Sequence, residues 1–116
     1  AVFPVGLNID YAWEKVVEYY RVLDQIHPGP MVRLNLAIAV SYAVGPQIGL
    51  EVLGRISAED RSRLRPWWDC AIAEVYHRLG QMREAVSHWE DALALASNHA
   101  QRALLTNKIT RSNRPQ

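Results

Sequence analysis

The chain has a single cysteine, Cys70, so no disulfide can form within it, and a reducing cytoplasm is the default setting. It also lacks any apolar run near the roughly 18 residues that would suggest a membrane span. Residues 31–44 come nearest, but Arg33, Asn35, Ser41 and Tyr42 interrupt them. Strand-like alternation is absent, as is a secretory leader. No glycine-rich phosphate loop, paired catalytic carboxylates or triad-like grouping is visible, so catalysis and a cofactor are not expected. Net charge is only +1, yet it is unevenly spread. Residues 1–91 hold nine basic and twelve acidic side chains, whereas residues 92–116 hold Arg102, Lys108, Arg111 and Arg114 and no acid. Four charges over that tail are too sparse for a nucleic-acid footprint and suit a solvated helix end.

What is present is helical period. Almost half of the 116 residues are apolar, enough for one domain with one core. In residues 71–97, Ile72, Ala73, Tyr76 and Leu79 mark one helix face, and Ala85, Trp89, Ala92 and Leu93 mark a second. Gly80 stands between them, where a left-handed residue ends a helix. Alanines at 73, 85 and 92 permit close approach of two antiparallel axes, with Tyr76 and Trp89 filling the wider gaps.

The same reading predicts an all-α chain of about six helices. A lead-in at residues 1–9 precedes a helix capped by Asp10 and running to Ile26, its apolar face carrying Trp13, Val16, Val17, Tyr20 and Leu23. His27-Pro28-Gly29-Pro30 breaks it. Helices follow at about 31–44, 47–56, 67–79, 82–96 and 99–110, with Pro46 favouring a helix start and Ser57 capping a short stretch from Ala58 to Arg65. The helical domain spans residues 10–110, and residues 111–116 read as a disordered tail. Gly49 and Gly54 cost roughly 1 kcal/mol each inside a helix against Ala, which close packing on the preceding helix would offset.

Gly45 and Gly80 end similar helices 35 residues apart. With Ile72, Ala73, Tyr76, Gly80, Ala85, Trp89, Ala92 and Leu93 at hallmark positions, residues 70–97 resemble a tetratricopeptide (TPR) repeat, whose period is near 34. The resemblance implies a short, partly degenerate, right-handed solenoid of antiparallel helix pairs with the last helix as cap. In such arrays the first helix of each pair lines a groove. Here that implies Val32, Asn35, Ala39 and Tyr42 from one helix and Trp67, Cys70, Glu74, His77 and Arg78 from another, a mixed surface suited to a peptide or partner helix.

Longer phrases are more particular. DYAWEKVVEYYRVL (10–23), PGPMVRLNLAIAV (28–40), VGPQIGL (44–50), LRPWWDCAIAEVYHRLGQ (64–81) and ALALASNHAQRALL (92–105) follow one another. Together they resemble the C-terminal TPR-like extension of a group of bacterial extracytoplasmic-function sigma factors. Pro28, Pro30, Val32, Leu34, Asn35, Ala37, Ala39, Val40, Gly45, Pro46, Gly49 and Leu50 match that pattern, while Tyr11 and Val44 depart from it. The resemblance implies a regulatory domain that contacts sigma regions 2 and 4 of the same polypeptide or the polymerase core. DNA would be reached only through sigma regions upstream of this chain. A stand-alone TPR adaptor, unrelated to transcription, is the rival expectation.

Other residues carry plainer readings. Glu74-x-x-His77 has the spacing of half a di-iron site, but the second copy is missing, so no metal is expected. Cys70 is expected as a buried or groove-lining thiol. Adjacent helical residues point about 100° apart, so only one of Trp67 and Trp68 can face the core. Arg61, Arg63 and Arg65 read as a solvated face.

Overall fold

The computed structural model describes residues 9–113. Seven α-helices account for most of them: α1 (Ile9–Ile26), α2 (Pro30–Ala43), α3 (Pro46–Gly54), α4 (Ala58–Leu64), α5 (Trp67–Arg78), α6 (Met82–Leu95) and α7 (His99–Ser112). The chain is all-α, with one helix more than the period predicts. The addition is α4: the Ser57 hydroxyl accepts from the Asp60 amide at 3.1 Å and lets seven residues close into turns.

The ends differ from expectation as well. α1 already includes Asp10, which is therefore not its cap, and α7 continues to Ser112. Residues 1–8 of the expected lead-in, and residues 114–116 of the expected tail, lie outside the described residues.

Local chemistry explains the remaining boundaries. Pro30 and Pro46 open α2 and α3 at positions where a missing N–H costs nothing. After α5, Gly80 adopts a φ of 79°, the Gly80 amide donates to the His77 carbonyl and the Gln81 amide to the Tyr76 carbonyl. These are the two bonds of a Schellman stop. α7 begins where the Asn98 side chain accepts from the Gln101 amide at 2.8 Å.

The contacts divide the described residues into two compact units, the first ending at Arg63 and the second beginning at Leu64. In the first, α1 packs on α2 and α2 on α3. Val17, Ala39 and Val40 form its buried centre, with Trp13 stacked on Tyr42 at 4.5 Å. Leu34 and Leu53 are almost wholly buried, each worth about 1.5–3 kcal/mol of burial. Gly49 meets the expectation of close packing: a Cβ there would press on the Ser41 Cβ and lie 2.8 Å from the Ser41 Cα. Gly54 does not meet it, since nothing would lie within 4 Å of its Cβ.

In the second unit α5 packs on α6 and α6 on α7. Ala73, Ala85 and Ala92 are fully buried around Trp89, with Leu105 of α7 closing the cluster. The small residues are therefore where the sequence requires them. No described helix is long and apolar enough to cross a membrane.

Candidate functional site

The predicted groove residues divide between the two units. Those of α2 are largely committed to packing. Asn35 is 8% exposed, Ala39 is fully buried, Val32 is half-buried, and Tyr42 lies against Trp13. The reason is that α2 is covered on two sides, by α1 and by α3. Periodicity identifies one inward face, and a helix with neighbours on both sides has two.

The α5 residues form a coherent surface. Trp67, Cys70, Glu74, His77 and Arg78 recur at three- and four-residue steps, hence on one side of the helix. Trp67 is 54% exposed while Trp68 is 8% exposed, so the tryptophan pair splits as its spacing requires. His77 and Arg78 are exposed, and Glu74 and Cys70 are half-buried. Cys70 lies against the Ala73–Trp89 cluster, and the His77 ring is 5.7 Å from the Trp89 ring.

One residue of this surface was not foreseen. Lys108 of α7 donates to the Glu74 carboxylate at 2.9 Å and stands over the Trp89 ring at 5.5 Å. The pair joins α5 to α7 across α6, with Trp89 beneath the ammonium. Lys108 and Glu74 are opposite charges 34 residues apart. That offset was the available signal, and the tail's charge excess hid it. Chemically, this surface offers an exposed indole, an ion pair and a guanidinium, which can bind a mixed polar and apolar partner and contains no activated nucleophile.

Burial pushes the Cys70 thiol up from its ordinary value; Asp69 adds to this, Lys108 opposes it and Glu74 adds a little more. Alkylation by iodoacetamide should therefore follow a pH profile displaced above that of a free thiol. The folded chain holds this proton to higher pH than the unfolded chain. Its contribution to stability is thus complete below the unfolded thiol's pKa and lost as pH rises through the folded one. A profile identical to that of a free cysteine would mean the thiol is not enclosed.

A second cluster sits at the other end of the helix pair. Asp69, in the first turn of α5, is 2% exposed and accepts from the Arg65 guanidinium at 3.0 Å. That hydrogen bond, followed by the Asp69 charge, holds Arg65 above its ordinary value, with the Asp91 charge also contributing. Arg65 therefore anchors a buried carboxylate from an exposed position. Arg63 keeps the simpler role, pairing with Glu59 at 2.8 Å on the surface of α4. His88 of α6 stacks on Tyr76 at 5.6 Å and meets the edge of Trp68 at 5.7 Å.

Comparison with known proteins adds one relative. An uncharacterized protein of Rhizobium meliloti (strain 1021) is 29% identical over 97 residues, which cover 84% of this chain and 22% of the relative. The chain thus spans about a fifth of that relative's length. No family model matches the sequence, and no solved structure matches it.

Proposed function

We propose that this chain is a non-catalytic interaction domain of a bacterial RNA polymerase sigma factor, built as a short TPR-like right-handed array. It modulates transcription initiation by contacting sigma regions 2 and 4 of the same polypeptide or the polymerase core. The observation that carries the array reading is the Glu74–Lys108 ion pair. Its members are one TPR period apart, and they meet from α5 and α7, helices that a TPR array would place side by side along the groove. The buried alanines at 73, 85 and 92 around Trp89 support the same reading. The run of sigma-extension phrases supports the assignment to transcription.

In this reading the α5 surface is the docking face, with Trp67 as its anchor, since exposed aromatics and arginines dominate interface energetics. The rival adaptor reading separates on the coding sequence before Ala1. A helix-turn-helix segment there belongs to the sigma reading, and a relevant full-length sequence without one rules it out. The binding test is a titration of this chain against sigma regions 2 and 4 and against the polymerase core, each supplied separately. Saturable binding to one of them is expected, weakened about tenfold or more by Trp67→Ala. Binding to none of the three would overturn the proposal.

A further inference from the structure

The Asp69 cluster has no part in the docking face and shows an unusual placement of ligating atoms. A nitrogen of His88 and one oxygen each from Asp69 and Asp91 lie within 4.8 Å of one another. His88 and Asp91 are three residues apart on α6 and so share a face, and Asp69 reaches them from the start of α5. The His88 Nδ1 atom is shut off from solvent and has no hydrogen-bond partner. An orphaned ring nitrogen at that depth costs about 1–3 kcal/mol. Packing between Tyr76 and Trp68 nevertheless holds the ring there.

We propose that Asp69, His88 and Asp91 bind a divalent first-row transition ion of the zinc type, which clasps the end of the α5–α6 pair opposite the Gly80 turn. One imidazole and two carboxylates suit such an ion, and three protein ligands leave a coordination position for water. Ligand atoms about 2.1 Å from a tetrahedral zinc ion stand about 3.4 Å apart, so the three donor atoms, now within 4.8 Å of one another, draw together by side-chain rotation as the ion enters. Arg65 is the competitor: its guanidinium already holds Asp69. Its own side chain is 42% exposed, which leaves it free to swing outward as the ion enters.

The test is calorimetric titration of the chelator-treated full chain with Zn(II), with Mg(II) in parallel. One Zn(II) per chain is expected, with Mg(II) much weaker, and the thermal midpoint rises when Zn(II) is present. Asp91→Asn and His88→Gln should each weaken Zn(II) binding by more than about tenfold, since even groups that only support a metal ligand act on that scale. Asp91 is exposed, so its variant retains the fold. Arg65→Gln should tighten binding, because it removes the competing cation. Cys70→Ser should leave binding unchanged. Absence of saturable binding overturns the site, as does stoichiometric binding that survives in the His88→Gln, Asp91→Asn double variant or disappears with Cys70→Ser.

Discussion

Trp89→Ala should lower the unfolding free energy of the second unit by about 3–5 kcal/mol, the usual cost of emptying an aromatic site in a core. The indole is 2% exposed, and its buried neighbours include three alanines, Ala73, Ala85 and Ala92. Alanines have no rotatable side chain with which to fill the void, so the cavity persists and the cost falls toward the upper end. The Lys108 ammonium, 5.5 Å from the ring, would lose its contact too, worth about 0.5–1 kcal/mol in a partly exposed setting. Stability of small domains is only about 5–15 kcal/mol, so the loss is a large share of the whole. Urea unfolding followed by far-ultraviolet circular dichroism measures it without relying on tryptophan emission. Trp67→Ala is the internal control. That ring is 54% exposed, so its removal should cost well under half as much. Equal costs for the two would contradict the packing of α5 on α6.

The second large effect is a pair of opposite signs within α3. Gly49→Ala should destabilise by about 1–3 kcal/mol, as overpacking does, even though Ala is the better helix former by roughly 1 kcal/mol. The new methyl would meet the Ser41 Cβ and the Ser41 Cα, and the Cα is backbone that cannot rotate away. Gly54→Ala should stabilise by about 0.4–1 kcal/mol, because open space surrounds its Cβ position and its φ is not in the left-handed region. Thermal melts of the two single variants check both signs. If both changes shift the melt the same way, α2 and α3 do not approach as described.

These examples show which features a sequence can disclose. Gly80, the three alanines and Trp89 were legible because each is tied to its own helix by a local rule: a stop, a small residue, a period. The cap at Ser57 was legible for the same reason, although seven residues were too few for α4 to announce itself by period. On α2, Asn35 and Ala39 are buried because that helix is packed from two directions. Lys108 was hidden because its partner lies 34 residues away. No local pattern marks Asp69, which the structure shows 2% exposed and held by Arg65. Pairings between elements depend on how helices are set against one another, and no local pattern records that.

Under the proposed sigma-factor function, the α5 surface regulates transcription by touching a partner. The most direct test is promoter-directed transcription by polymerase carrying the full-length sigma polypeptide, with Glu74→Lys compared against wild type. The substitution breaks a pair whose members are 34% and 40% exposed, a loss of about 1 kcal/mol or less, so the melt should be nearly unchanged. An altered transcript yield is expected, and it should persist in the Glu74→Lys, Lys108→Glu double variant, where the pair is restored but the charges facing the partner are exchanged. Wild-type yield from folded Glu74→Lys protein would contradict this role.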